Sequence, residues 1–287
     1  MIVILFISYL VVICGNVTII AVICVAPNMH TPMYIFLMNL SVIDIASTSN
    51  IIPKLLYMLI TKYNIISFWE CIAQLYVFLL LGSTEVVLLT AMAYDRYVAI
   101  CHPLNYITKM SIIHCAGLLV TAWTFGFLNP IGHAVLISKM SFCASHGISH
   151  IFCDIAPLLK ISCSDVSAVE MLNYTEGTIL GFITFLFTLV SYIFIISAIL
   201  NIKSAKGQSK AFSTCSSHLT CIILLYGTII SLHIQPTSNY SSKQDKWFSL
   251  VYAVLVPMLN PFIYSLKNKD VKDVLLKFKK KCVWENI

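Results

Sequence analysis

Charged residues are scarce in this chain of 287 residues. Asp, Glu, Lys and Arg make up 10% of the sequence, against about 25% in an ordinary soluble domain. Together with a hydrophobic share of 59%, this shortage excludes a water-soluble single domain. A dense basic face interleaved with aromatic residues is also missing, which argues against nucleic acid as a partner. The length suits about seven membrane crossings of about 20 apolar residues each, with short connections.

Stretches without charge locate the crossings, because an unpaired ionised group is costly in hydrocarbon. No Asp, Glu, Lys or Arg precedes Asp44, and Thr31 before Pro32 places a capping hydroxyl and an N1 proline at a helix start. The sequence predicts an all-α membrane protein, a seven-transmembrane helix bundle without the internal repeat of many transporters. The predicted spans are about 1–26, 34–60, 71–101, 112–138, 175–202, 211–235 and 247–266.

The two ends of the chain carry separate predictions. The first span has no basic segment before it and is too long for a signal peptide, so we expect a retained helix. After span 7, Val271, Val274, Leu275 and Phe278 recur at helical spacing among lysines, which predicts an amphipathic helix on the anionic inner leaflet. The predicted receptor domain is 1–280 with this helix at 268–280, and a short tail follows at 281–287.

The distribution of charge predicts the orientation. If span 1 starts outside, the inner side holds twelve basic and four acidic residues, and the outer side holds six of each. Lys and Arg are enriched on the cytoplasmic side of membrane proteins. We therefore expect a multi-pass protein with its amino end outside and its carboxyl end in the cytoplasm.

Four of the eleven cysteines fall on the predicted outer side, namely Cys71, Cys143, Cys153 and Cys163. Disulfides persist in that oxidising compartment. Spacing alone allows three pairings. The cysteines predict a loop between spans 4 and 5 that is strapped over the mouth of the bundle.

Local motifs coincide with the seven predicted spans. They are Gly15-Asn16, residues 29–34 (MHTPMY), 40–44 (LSVID), 92–101 (MAYDRYVAIC), Ser191-Tyr192, 210–218 (KAFSTCSSH) and 257–268 (PMLNPFIYSLKN). A bare Asp-Arg-Tyr tripeptide is unspecific, but ten consecutive residues in the right span with six further motifs in order are not. From Leu10 to Lys280 the chain resembles the olfactory receptors, a family of rhodopsin-like (class A) G-protein-coupled receptors.

The resemblance implies several properties. It pairs Cys71 with Cys153 and Cys143 with Cys163. It implies a non-enzymatic receptor in the plasma membrane that binds a small-molecule odorant and activates a heterotrimeric stimulatory G protein, which raises cyclic AMP. It also implies an outer tail with an Asn-x-Ser/Thr glycosylation site ahead of span 1. The sequence here begins within span 1, and we expect surface delivery, but not signalling, to depend on such a tail.

Residues at the inner end of span 3 are candidates for an activation switch. Asp95 and Arg96 can form an ion pair with each other or with span 6, and the planar Arg fork can exchange partners. The alternative is a snorkelling pair that anchors the helix. Pro257 and Pro261 remove backbone hydrogen bonds from span 7 and predict a kink. With the resemblance, the predicted switch residues are Asp95, Arg96, Tyr97, Tyr192, Asn260, Pro261 and Tyr264.

Two acidic residues, Asp44 and Glu85, lie at mid-membrane depth by helix length. With Asn16 and Asn260 they could cage a sodium ion, share a proton between carboxylates, or merely hold helices together. No other cofactor is predicted.

The stimulus site is expected above this acidic layer. On span 3, Phe78, Leu79, Gly82 and Ser83 share one helix face. The resemblance implies that residues at these depths line the odorant cavity, while ordinary core packing is the alternative. Mostly apolar walls suit a small volatile such as a neutral alcohol, ketone or ester. On spans 6 and 7 the corresponding candidates are Tyr226, Ile229, His233, Tyr252 and Ala253.

Other functions have specific requirements. A non-olfactory receptor of the same class for another small ligand is the nearest alternative, but an amine receptor would need an acid in upper span 3, and none lies between Cys71 and Ser83. A channel or transporter would need a polar path through the membrane. An enzyme would need an organised cluster of catalytic groups. The predicted partners are therefore an odorant, a G protein and membrane lipid.

Overall fold

The computed structural model describes residues 1–63, 65–143, 151–233, 250–267, 271, 272, 274 and 276. Helix is the regular structure in this part of the chain, and one isolated antiparallel bridge joins Phe142 and Ser162. The helices are α1 Ile2–Val25, α2 Pro32–Thr61, α3 Phe68–Cys101, α4 Tyr106–Lys109, α5 Ile112–Leu128, α6 Ile131–Ser138, α7 Ile155–Lys160, α8 Ser167–Leu200, α9 Ala205–His233 and α10 Val256–Lys267.

Five segments of the described chain are long and apolar enough to cross a membrane: α1, α2, α3, α5 with α6, and α8. The all-α membrane fold is thereby confirmed. Helices α9 and α10 occupy the positions of predicted spans 6 and 7, and the full count of seven spans stays a prediction. Many apolar side chains on α8 point outward, including Phe182 and Phe187, as expected of a surface that faces lipid rather than water.

The apolar segment Ile112–Ser138 has the bounds of the predicted fourth span, but a turn divides it into two helices. Helix α5 ends at Leu128 and α6 begins at Ile131, because Pro130 has no N–H to continue the ladder. Helix α8 begins at Ser167, before the predicted start at 175, and the Asp165 carboxylate accepts the Ser167 N–H at 3.0 Å. Ahead of α10, Val251–Leu255 form a π-helical turn.

Only four residues of the predicted amphipathic helix at 268–280 are described. All four are helical: 271, 272, 274 and 276. Val271 is buried and Val274 packs against the main core, whereas Leu276 is exposed. Leu275 and Phe278 lie outside the described residues.

Helix α3 is the central element of the bundle. It packs against α2, α5, α6, α8 and α9, while α1 packs against α2 and α10. The 34-residue length of α3 corresponds to about 50 Å. One helix therefore runs from one end of the bundle to the other.

Gly126 allows α5 to approach α3 closely, as small residues do between membrane helices. A Cβ added there would clash with the Thr84 side chain and would lie 2.9 Å from the Leu80 carbonyl oxygen. We expect Gly126→Ala to destabilise the protein by about 1–3 kcal/mol, the usual cost of overpacking a core. Thermal denaturation in detergent measures this loss.

Gly117 on the same helix is the matched control, because a Cβ added there meets nothing within 4 Å. Equal melting temperatures for Gly126→Ala and Gly117→Ala would contradict the close approach of α5 to α3.

Candidate functional site

A disulfide-linked loop crosses the Phe68 end of α3, which the sequence predicts to be the outer end. Cys71 is bonded to Cys153 and Cys143 to Cys163, with Cα–Cα distances of 5.4 and 5.8 Å, which confirms both predicted pairings. Buried Gln74 fixes the loop further, since its Oε1 accepts the Cys153 N–H at 2.9 Å. We call residues 151–163 the strap; this segment contains Cys153 and Cys163, one cysteine of each disulfide.

The predicted ligand residues of α3 pack in different directions. The centroid of the Phe78 ring lies 4.9 Å from that of Phe152 in the strap. Both residues belong to the packing cluster that includes buried Ala253. Leu79 instead packs with the cluster of α6, α7 and α8. Ser83 accepts a hydrogen bond from Asn129 Nδ2 at 2.9 Å, which joins α3 to the end of α5.

The ligand residues predicted on the later spans are described in part. Tyr226 is buried, its ring lies 5.4 Å from that of Phe185, and its hydroxyl has no hydrogen-bond partner. Gly82 on α3 is half-buried. The described candidates Phe78, Leu79 and Tyr226 therefore belong to three different packing clusters. The side chains of Ile229, His233 and Tyr252 lie outside the described residues.

Near the Cys101 end of α3, the predicted inner end, Asp95 is fully buried and both of its carboxylate oxygens accept hydrogen bonds. Arg96 donates to Asp95 Oδ2 through Nε at 3.0 Å and also through Nη2. Tyr106 of α4 donates its hydroxyl proton to the other oxygen, Oδ1, at 2.8 Å. Burial and the Asp95 carboxylate raise the pKa of the Tyr106 phenol, so it stays a donor. Of the two pairings expected for Arg96, the structure contains the one with its neighbour.

A second polar contact joins α8 to α9 near Arg96. The Tyr192 hydroxyl and Nδ1 of buried His218 are 2.8 Å apart and share a hydrogen bond. Nearby, the Tyr97 hydroxyl lies 3.1 Å from His102 Nε2. His218 was not predicted as a switch residue, although it ends the 210–218 motif. The Tyr264 side chain lies outside the described residues.

The predicted polar layer at mid-membrane is assembled around Asp44. Asn260 donates through Nδ2 to both carboxylate oxygens of Asp44, at 3.0 and 3.1 Å, and Glu85 lies within electrostatic reach of Asp44. Asn16 donates to the Pro257 carbonyl at 3.5 Å. This carbonyl would otherwise lack a partner, because Pro261 has no N–H to donate to it. Pro261 is in close contact with Gly15.

The arrangement fits a small cation only in part. The Asn16 Oδ1 oxygen is buried without a hydrogen-bond partner, and with two carboxylates it provides the oxygen atoms that a hard cation prefers. Asn260 turns its nitrogen toward Asp44, so it positions that carboxylate rather than offering a ligand oxygen. Within the described residues, no three His, Cys, Asp or Glu side chains form a metal-binding group.

The comparison with protein families decides the identity of the chain. A family model described as olfactory receptor matches residues 5–281. The chain belongs to the olfactory receptor family. It is therefore a multi-pass plasma-membrane protein with an odorant-receptor role, and not an enzyme.

Individual olfactory receptors are similar to this chain along most of their length. Olfactory receptor 5AR1 of Mus musculus is 47% identical over 264 residues, which cover 92% of this chain and 85% of that protein. Olfactory receptor 1L4 of Homo sapiens is 46% identical, covering 95% and 88%. Olfactory receptor 1f45 of Rattus norvegicus is 45% identical, covering 94% and 87%.

The structure of this olfactory receptor also contains a polar pair that sequence reasoning missed. His133 of α6 and Glu176 of α8 are 3.3 Å apart between Nδ1 and Oε2. Glu176 is one of the six acidic residues that the charge count assigns to the outer side. Helical spacing could have placed Glu176 on the inward side of α8, because it precedes Leu180 by four residues and Leu180 precedes Thr184 by four. That spacing does not identify His133 as its partner.

Proposed function

We propose that this olfactory receptor binds small, volatile, weakly polar molecules in the outer half of its bundle and activates a stimulatory G protein at its inner surface, thereby raising cyclic AMP. The observation that carries the proposal is the closed cluster that Asp95 and Arg96 of α3 form with Tyr106 of α4, because α3 also carries Phe78. Eighteen residues separate Arg96 from Phe78, about 27 Å of helix. A ligand that moves the outer part of α3 relative to α9 and α10 would therefore disturb the inner cluster.

The proposed orientation places the amino end outside. Both disulfides gather at the Phe68 end of α3, and disulfides persist in an oxidising compartment. The Arg96 end of α3 then faces the cytoplasm, where the basic segment after α10 meets anionic lipid.

In the proposed mechanism, ligand binding favours a state in which Arg96 leaves Asp95 and becomes available to the G protein. Arginine suits this exchange, because it keeps its charge and its planar donor fork with either partner. The Tyr192–His218 contact holds α8 to α9 in the closed state, so its loss accompanies opening. The polar layer around Asp44 is proposed to hold either a sodium ion or a proton shared with Glu85, or to act only as a link between helices.

Tyr106 stabilises the closed state directly, so its removal should raise basal signalling. Tyr106→Phe deletes the hydrogen bond to Asp95 Oδ1 and leaves the Arg96 pair in place. A bond to a charged group contributes about 1.5–3 kcal/mol, so we expect basal cyclic AMP to rise several-fold at equal surface expression.

Tyr94→Phe serves as the control, since Tyr94 lies next to Asp95 on α3 but is exposed. If the two variants show the same basal cyclic AMP, Tyr106 does not hold the closed state.

A screen tests the proposed function. Cells that express the chain, with and without an added glycosylated outer tail, are exposed to a panel of volatiles while a reporter follows cyclic AMP. Surface staining shows whether the receptor is delivered. A dose-dependent response to some panel members supports the proposal, and silence in both formats despite surface staining contradicts it.

A further inference from the structure

His133 and Glu176 face each other in the outer half of the bundle with unfilled hydrogen-bonding capacity. His133 is 2% exposed, and neither ring nitrogen has a hydrogen-bond partner, nor does Glu176 Oε2. Their 3.3 Å contact is an ion pair only when the imidazole is protonated. Buried polar groups without partners are rare and call for an explanation.

Glu176 lies on the side of α8 that faces the bundle. Val169, Thr184, Thr188 and Tyr192 are buried along that side, and Glu176 fits the same helical spacing, with seven residues to Val169 and eight to Thr184. The opposite side carries exposed Phe182. The carboxylate is therefore directed toward the interior of the protein and not toward lipid.

The pair lies at the depth expected for ligand binding. Sixteen residues separate Glu176 from Tyr192, about 24 Å of helix outward from the inner contact. His133 is one turn beyond Asn129, which bonds Ser83 of the predicted ligand face. The pair is thus level with Phe78 beneath the strap.

Glu176 also lacks a permanent cationic partner. Three other described carboxylates have protein partners: Glu70 pairs with Lys54 at 2.8 Å and Asp95 with Arg96, while Asp44 accepts from Asn260. Among the described residues no Lys or Arg lies within ion-pair distance of Glu176. A carboxylate turned into a low-dielectric interior is stabilised strongly by a cation that hydrogen-bonds to it.

We propose that Glu176 and His133 form the anchoring site for the protonated amine group of a small volatile ligand. This inference rests on the proposed signalling function and adds charged amines to its weakly polar ligands. An alkylammonium carries three N–H donors, so it can serve the Glu176 carboxylate and the lone pair of a neutral His133 ring together. A ketone or an ester only accepts hydrogen bonds, so it could accept from the N–H of the His133 ring but could not serve the Glu176 carboxylate. The acid that an amine receptor requires is supplied here by α8 instead of α3.

Hexylamine and hexanol are the test probes, because they share one apolar chain and differ in the head group. In the wild-type receptor, hexylamine should raise cyclic AMP at lower concentration than hexanol. Glu176→Gln removes the charge and keeps the shape, and we expect it to raise the half-maximal hexylamine concentration about tenfold or more, as loss of a charge-assisted hydrogen bond predicts. The hexanol response should change far less.

Glu170→Gln is the matched control, since Glu170 lies in the first turn of the same helix. An unchanged hexylamine response in Glu176→Gln overturns the inference. So does an equal loss for hexylamine and hexanol, because that result means the pair only holds α6 to α8.

Thermal stabilisation of the purified receptor separates the inference from the proposed function. If hexylamine stabilises the wild type but not Glu176→Gln and no volatile raises cyclic AMP, the binding site stands and the signalling proposal fails. If neutral volatiles raise cyclic AMP and hexylamine neither stabilises the protein nor signals, the signalling proposal stands and the amine site fails.

Discussion

Arg96→Ala is expected to abolish ligand-driven cyclic AMP while the receptor still reaches the cell surface. In the closed state Arg96 donates two hydrogen bonds to Asp95, and in the proposed active state the same guanidinium meets the G protein. Alanine can do neither, so the response should fall to background rather than shift along the concentration axis. A cyclic AMP reporter, normalised to surface staining, measures the effect.

A double variant separates loss of signalling from loss of folding. Removing one member of a buried ion pair leaves an uncompensated charge, which costs about 3–5 kcal/mol. Asp95→Asn with Arg96→Ala removes both charges, and it should restore any stability that the single variant loses without restoring the response. Normal ligand-driven cyclic AMP in either variant would mean that Arg96 only anchors the helix.

Cys71→Ser or Cys153→Ser is expected to remove most of the receptor from the cell surface. This disulfide spans a sequence separation of 82, against 20 for Cys143–Cys163. The chain-entropy relation gives about 4.5 kcal/mol for the longer loop and about 3.3 kcal/mol for the shorter. The first bond also keeps the Cys153 N–H against Gln74, so its loss releases the strap.

The comparison among cysteine variants is made by surface staining and by thermal denaturation. Cys143→Ser should lose less stability than Cys71→Ser. Cys14→Ser is the control, because Cys14 is free and exposed. The described role of the strap is wrong if Cys71→Ser and Cys14→Ser melt at the same temperature.

Sequence reasoning predicted well the features that depend on composition and local motifs. The shortage of charge predicted membrane helices, and the motif at 92–101 placed Asp95 and Arg96 at a helix end. The disulfide pairing came from the family resemblance, because spacing alone left three alternatives.

The features that escaped prediction depend on how helices are rotated against each other. Tyr106 reaches Asp95 only because α4 folds back beneath α3. His133 and Glu176 lie on separate helices, so neither charge counting nor periodicity on one helix could pair them. Pro130 was visible in the sequence, yet whether a proline kinks or ends a membrane helix depends on which neighbours satisfy the freed backbone groups.

The same limit applies to the polar layer. Depth along each helix predicted that Asn260 and Asp44 lie at one level. It did not predict which way the Asn260 amide points. The nitrogen faces Asp44, while the amide oxygen accepts from Cys221 Sγ at 3.2 Å. That arrangement assigns Asn260 to positioning Asp44, a distinction that requires the three-dimensional contacts.

Ligand-stimulated nucleotide exchange in a reconstituted system tests the central claim most directly. The purified receptor is placed in lipid vesicles with a stimulatory G protein, and exchange is followed with and without a volatile that the cell screen selects. We expect the volatile to accelerate nucleotide exchange with the wild-type receptor. It should not do so with Arg96→Ala or with vesicles that contain the G protein but no receptor. A volatile that stabilises the wild-type receptor against heat and yet leaves the exchange rate unchanged would contradict the account.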